Sequence, residues 1–298
     1  MSARLLLLCP GQGGQHAGMF DLARTDAGAA ALLDACGLAD ADPATMFDNR
    51  VAQPAIVGAT LAMWEALRHR VMPPSLVAGY SVGELSAYGV AEALDPADAV
   101  SLAATRAALM TGAVTEPQAL AAISGVPVER ARALAAAAGF EVAIVTGVDT
   151  CIAGGLEVTL ASLDQAVAAA GGRLQRLPIG IASHTSLMAD AVEPFAAALR
   201  AAPFQSPAFP VLSGIGAEAV TGQARAVDTL SRHLSETIVW SDCMDAAAEA
   251  GMTVALELGP GAALARMLQA RHPQIACRSV ADFRSLDGIV AWLERQAG

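Results

Sequence analysis

A serine able to attack an ester or thioester carbonyl stands in the middle of Leu76 to Tyr88, L-V-A-G-Y-S-V-G-E-L-S-A-Y. A short apolar run ends in Gly79-Tyr80-Ser81-Val82-Gly83, and a helix-compatible segment follows at once. Glycines on both sides of Ser81 let the backbone crowd through a tight strand-to-helix turn that holds the hydroxyl out into a pocket. The N–H of Val82, at the start of that helix, points to where negative charge develops on an attacked carbonyl oxygen. One segment thus offers a nucleophile and half of an oxyanion hole. The same pattern occurs by chance as an ordinary glycine-flanked turn, so it needs partners from elsewhere in the chain.

A serine nucleophile needs a base. Of the five histidines, His16 falls in the first loop, His69 and His233 near helix ends, and His272 before Pro273. His184 opens a helix where the chain returns from a middle region of different pattern, which would turn it toward a cleft between two folding units. A surface or helix-capping histidine fits that position as well. Pro10-Gly11-Gln12-Gly13-Gly14-Gln15 follows the apolar run Leu5 to Cys9, at the carboxyl end of a strand, where open α/β sheets bind ligands. Turn chemistry alone would also explain Gln12. Arg106 lies in the last turns of a helix begun by Asp95-Pro96, and a lone arginine there ordinarily complements the helix dipole.

These residues must be positioned by a large core. The 298 residues suit one big α/β domain, or a big domain carrying a small one. Hydrophobic residues make up 54% and aromatics only 4%, so alanine, leucine and valine build most of that core. The formal net charge of -11 argues against a nucleic-acid binder, which needs a basic face, and disfavours anionic membranes. The five cysteines are scattered without a C-x-x-C pair, which argues against a structural zinc site and a disulfide framework and favours a reducing cytoplasm. The opening M-S-A-R-L-L-L-L-C-P is too short an apolar run for a signal peptide and breaks at Pro10-Gly11. No stretch reaches the length of a membrane span.

Leu5 to Cys9 reads as a strand buried on both faces, as in a parallel sheet covered by helices. Helices are expected at 29–35 and 54–70, the second stopped by Pro73-Pro74, then a short strand at 76–78 and the helix from Asp95-Pro96 to about Met110. From 113 to 182 the pattern becomes strand 120–125, helix 128–138, strands 141–146 and 150–153, helix 160–170 and strand 174–179. That βαββαβ order is ferredoxin-like. Further strands are expected at 210–215, 253–258 and 275–280, with helices at 224–234, 242–250, 262–271 and 285–296. The alternation gives a main domain with a parallel or mixed sheet and helices on both faces.

Five motifs, taken together and in order, resemble the malonyl-CoA:acyl carrier protein transacylase family. They are Pro10-Gly11-Gln12-Gly13, Gly79-Tyr80-Ser81-Val82-Gly83-Glu84, Arg106 in L-A-A-T-R-A-A-L-M, Ser183-His184 in I-A-S-H-T-S-L-M, and Glu257-Leu258-Gly259-Pro260-Gly261. The resemblance spans nearly the whole chain. Within the family the chain looks most like the epsilon subunit of malonate decarboxylase, through its first loop and the tyrosine of the elbow. The resemblance implies an α/β-hydrolase-like catalytic domain in two pieces, 1–112 and 183–298, with a ferredoxin-like subdomain at 113–182.

The roles that it implies are specific. Ser81 takes the acyl group from a CoA thioester, His184 is the base, and the backbone N–H groups of Gln12 and Val82 form the oxyanion hole. Arg106 holds the free carboxylate of the malonyl group in a bidentate contact. An acyl group lacking that carboxylate would leave a buried guanidinium unpaired, at a cost of about 2 to 5 kcal/mol. A backbone carbonyl near His233, counted back from Trp240, orients His184. The implied partners are malonyl-CoA and the phosphopantetheine-type arm of an acyl carrier protein, with other malonate decarboxylase subunits if the narrower likeness holds. No metal or other cofactor, nucleic acid or membrane is implied. Two departures stand out: Tyr80 replaces the family's usual histidine before the nucleophile, and Thr146-Gly147-Val148-Asp149 stands where the family often has an asparagine-rich turn. A fatty-acid-synthesis transacylase and a patatin-like serine esterase or thioesterase are the alternatives; the second has no need of Arg106.

Overall fold

The computed structural model describes residues 3–38 and 42–297. The chain begins with β1 (Leu5–Cys9), followed by α1 (Ala27–Ala35), α2 (Asn49–Leu67), β2 (Leu76–Gly79), α3 (Gly83–Val90) and α4 (Pro96–Gly112). A middle segment contributes β3 (Gln118–Ser124), α5 (Val128–Ala137), β4 (Phe140–Val145), β5 (Thr150–Leu156), α6 (Leu160–Ala169) and β6 (Arg173–Arg176). The remainder supplies α7 (Ala189–Ala201), β7 (Val211–Leu212), β8 (Ala219–Val220), α8 (Gln223–Arg232), β9 (Ile238–Val239) and α9 (Trp240–Glu249). It ends with β10 (Val254–Glu257), α10 (Ala263–Arg271), β11 (Ala276–Ser279) and α11 (Leu286–Ala297).

The architecture is mixed α/β with two sheets. The first has the order β11-β10-β1-β2-β7-β8 and is parallel except for β8, which runs antiparallel to β7. Every residue of β1 is buried. Leu5, Leu7 and Cys9 enter one core cluster and Leu6 and Leu8 the other, as a strand covered by helices on both faces requires. Because β1 and β2 pair in register up to Cys9 opposite Gly79, the glycine loop after β1 and the serine turn after β2 emerge side by side. Open α/β sheets bind ligands at the carboxyl ends of their strands, and both loops lie in that crevice.

The second sheet has the order β6-β3-β5-β4-β9. Its first four strands, with α5 and α6, come from residues 118–176 and pair antiparallel. Its fifth, β9, comes from far along the chain and pairs parallel to β4. Thr237 Oγ1 adds a hydrogen bond to the carbonyl of Val142 at 2.7 Å. Neither β8 nor β9 carries a sequence signal, because two-residue strands are too short to show a period.

Several boundaries differ from the sequence expectation. The helix expected at 54–70 starts at Asn49, where Asp48 accepts from the N–H of Arg50, and Pro54 lies inside it. Proline favours the first helical position, but here it sits a turn further in. The strand expected at 210–215 shortens to Val211–Leu212, since the N–H of Ser213 already bonds to Glu218 in the turn toward β8. The last strand of the middle segment stops at Arg176, before Pro178.

Candidate active site

The serine turn is held by close backbone approach. A Cβ on Gly79 would lie 2.3 Å from the Glu84 nitrogen, and one on Gly83 would lie 2.1 Å from the Cys9 carbonyl oxygen. Glycine is therefore required at both places, and it lets α3 start against the end of β1. Ser81 itself has φ of +54°, the left-handed region that a side chain adopts only when its surroundings enforce it.

Ser81 Oγ lies 2.9 Å from Nε2 of His184, a residue 103 positions away. His184 is fully buried and also has a positive φ, +63°. It sits in the turn before α7, not within a helix, and its N–H donates to the carbonyl of Leu234 at 2.8 Å. Its Nδ1 lies 2.6 Å from the carbonyl oxygen of His233, which requires Nδ1 to carry the proton and leaves Nε2 as an acceptor for the serine. Burial, and next the positive charge of Arg106, push His184 down to about 3, so the ring is neutral at physiological pH.

Arg106 is not a dipole-complementing surface residue; it is 2% exposed. Its Nη1 donates to Gln53 Oε1 at 2.7 Å, and its buried Nη2 has no partner. A buried guanidinium nitrogen with no acceptor suits a ligand carboxylate. Gln53 sits on α2 and carries no motif of its own, so sequence reasoning missed it; its only mark is a glutamine among apolar residues in V-A-Q-P-A-I-V-G.

A cavity of about 340 Å³ opens onto Gln12, Ser81 and His184. Leu120, Ile144, Ile152 and Leu177 line one wall, from β3, β4, β5 and the segment after β6, and Pro260 and Met267 line another. The two sheets therefore enclose the cavity between them. The N–H groups of Gln12 and Val82 donate to no backbone carbonyl among the described residues. Tyr80 borders the same cavity and packs edge-on against Trp240, with ring centroids 5.3 Å apart. Arg106 does not line this cavity; its charge acts on His184 from the α2–α4 side.

His16 opens onto a separate cavity with Asp21, Met63 and Phe283, away from Ser81. No group of three metal-ligating side chains occurs among the described residues. Sequence reasoning also passed over the side chain of Glu84, which is fully buried beside His233.

A model of the acyl transferase domain family matches residues 6–284. The malonyl CoA-acyl carrier protein transacylase of Mycobacterium tuberculosis (strain ATCC 25618 / H37Rv) is 32% identical over 297 residues, covering 95% of this chain and 98% of that protein. The enzyme of the same name from Escherichia coli (strain K12) is 31% identical over 276 residues, covering 86% of this chain and 88% of that protein. The crystal structure of FabD from Acinetobacter baumannii superposes with a TM-score of 0.90 at 26% identity, covering 99% of both chains.

Proposed function

The chain belongs to the acyl transferase family and is a malonyl-CoA:acyl carrier protein malonyltransferase; from that premise we propose that Ser81 carries the malonyl group between the two thiols. In the first half-reaction Ser81 Oγ attacks the thioester carbonyl of malonyl-CoA while its proton passes to Nε2 of His184. The N–H groups of Gln12 and Val82 receive the oxyanion. Collapse of the tetrahedral intermediate breaks the carbon–sulfur bond, and the departing CoA sulfur takes the proton from His184. In the second half the carrier thiol gives a proton to His184 and its sulfur attacks the seryl ester; the carbon–oxygen bond to Ser81 then breaks and Oγ takes the proton back from His184.

The observation that carries this reading is the line Ser81 Oγ, His184 imidazole, His233 carbonyl, with spacings of 2.9 and 2.6 Å, set near a buried arginine whose Nη2 has no partner. A carbonyl in place of a carboxylate suits a thioester, which demands less of the base than an amide. Arg106 takes the malonyl carboxylate, and this selects malonyl over acetyl thioesters. The protein needs no cofactor of its own; the CoA thioester and the carrier's arm bring the chemistry.

The acceptor we favour is the carrier of malonate decarboxylase, supported by the likeness of the first loop and of Tyr80 to that enzyme's epsilon subunit, with its other subunits as partners and the cytoplasm as the compartment. The catalytic domain is read as α/β-hydrolase-like, 1–112 and 183–298, with a ferredoxin-like subdomain at 113–182. Mass spectrometry after mixing with malonyl-CoA tests the chemistry. A malonyl adduct on Ser81 that a carrier thiol discharges is expected, whereas free malonate with no adduct means a hydrolase. Offering fatty-acid-synthesis and malonate-decarboxylase carriers side by side decides the acceptor.

A further inference from the structure

His233 supplies more than a carbonyl. Its side chain is 1% exposed, both ring nitrogens lack a hydrogen-bond partner, and Nε2 lies 3.5 Å from Oε2 of Glu84, which is itself 0% exposed. Oε2 already accepts from the N–H of Gly214 at 2.9 Å, so it is the acceptor oxygen of that carboxyl. Glu84 stands three residues after Ser81, on the first turn of α3, the helix that the serine turn launches. The His233 ring also packs against the His184 ring, with centroids 4.8 Å apart. A buried imidazole and a buried carboxyl, each with capacity left over, lower their desolvation cost by meeting.

We propose that the Nε2–H of His233 donates to Oε2 of Glu84, and that this buried latch fixes the carbonyl that orients His184. The nucleophile's own helix thereby grips the residue that aims the base, which closes a loop of contacts: Ser81 to His184, His184 to the His233 carbonyl, the His233 ring to Glu84, and Glu84 back along α3 to Ser81. His233 and Glu84 are positioning residues in this scheme and neither touches substrate. Burial holds the Glu84 carboxyl protonated, up to about 8, which places its proton on Oε1 and keeps Oε2 as acceptor for both N–H groups. Burial likewise pushes the His233 ring well below the usual histidine range, which keeps it neutral with a single N–H to place. The other ionisable groups acting on the pair are Arg106, which acts on both, Glu218 on Glu84, and His184 on His233.

The kinetic half of the test rests on the malonyl-transfer reading; the spectroscopic half does not. Nitrogen-15 histidine spectra of the full chain without substrate, with His233 assigned by its loss in His233→Gln, should show His233 as the Nε2–H tautomer with a slowly exchanging proton. Glu84→Gln, whose amide oxygen accepts from the same two N–H groups, should keep that proton slow, and Glu84→Leu should speed its exchange. The Nδ1–H tautomer, or an exchange rate indifferent to Glu84→Leu, would overturn the proposal whatever the acyl group proves to be. In single-turnover acylation by malonyl-CoA, His233→Ala keeps the backbone carbonyl and should lower kcat roughly tenfold or more with little change in KM, the signature of a misaimed base. His233→Gln, which restores a donor toward Glu84, should recover most of that loss. Equal rates for His233→Ala and wild type would reject the latch even where Glu84→Leu fails to fold.

Discussion

Gln53 Oε1 accepts from Arg106 Nη1 at 2.7 Å, so an amide on α2 aims the guanidinium that α4 carries. Gln53 donates in turn to Asn49 Oδ1 at 2.7 Å, and Asn49 Nδ2 donates to the carbonyl of Ala107 at 3.1 Å, beside Arg106 on the same helix. This ring leaves Nη2 as the buried nitrogen with nothing to bind. Gln53→Leu should therefore raise the KM for malonyl-CoA about tenfold by freeing the guanidinium, with acetyl transfer unmoved in the same assay. Arg106→Ala should lose malonyl transfer by roughly 30-fold to several thousand-fold, the range for removing one partner of a buried charge pair, while acetyl transfer is kept or raised. Equal loss for the two acyl groups contradicts the carboxylate role.

The base should show no titration where histidines ordinarily titrate. His184 is held near 3 by burial and by Arg106, so it remains neutral across the range in which an exposed imidazole protonates. Acylation measured between about pH 5 and pH 7 should stay flat, whereas a histidine in water would lose its base form below about 6.5. An acid limb centred near that value would move the base elsewhere. His184→Ala should slow acylation by roughly 10²- to 10⁴-fold.

The serine turn should tolerate no side chain at Gly83. A Cβ there meets the Cys9 carbonyl oxygen at 2.1 Å and the Pro10 carbonyl oxygen at 2.6 Å, and backbone cannot step aside as a flexible side chain can. Gly83→Ala should cost about 1 to 3 kcal/mol or more of stability in urea melts and should slow Ser81 acylation as well. Gly180→Ala, where nothing lies within 4 Å of the added carbon, serves as the control and should leave the melt unchanged.

Stability should fall as pH rises from about 6.5 to about 8. Burial lets the folded Glu84 keep its proton up to about 8, against an ordinary carboxyl value of 4.5, so folding takes up a proton between those values. Its contribution is fully present below about 4.5 and is lost as pH climbs through 8. The two buried histidines have the opposite sign and act below about 6.5, where only the unfolded chain protonates them. Glu257, raised to about 7, adds to the Glu84 slope in the lower part of the window. Melts across pH 6.5–8 should slope downward for the wild type and lie flatter for Glu84→Gln; parallel slopes would place the proton elsewhere.

Legibility followed locality. The serine turn was readable because glycine on either side of a serine is a backbone requirement written in adjacent letters, and β1 was readable because L-L-L-L-C leaves no polar face. The start of α2 was misread because Pro54 attracts a helix start, while the actual cap, Asp48, lies in a polar stretch with several capping candidates. Arg106 invited a dipole reading because nothing near it in sequence names Gln53, which is 53 residues away. The short strands β8 and β9 exist only because β7 and β4 present edges to them.

The sequence by itself determined the nucleophile's turn, the order of the longer strands and helices, and which residue types were on hand for acid–base and carboxylate chemistry, because each depends on spacing within a few residues. Tertiary packing decided which of five histidines meets Ser81, which amide holds Arg106, and which side chain closes on His233. The physical reason is plainest at the orienting contact: every residue has a carbonyl, so the one at His233 that accepts from His184 at 2.6 Å is chosen by where the backbone passes and leaves no mark in the letter that stands there.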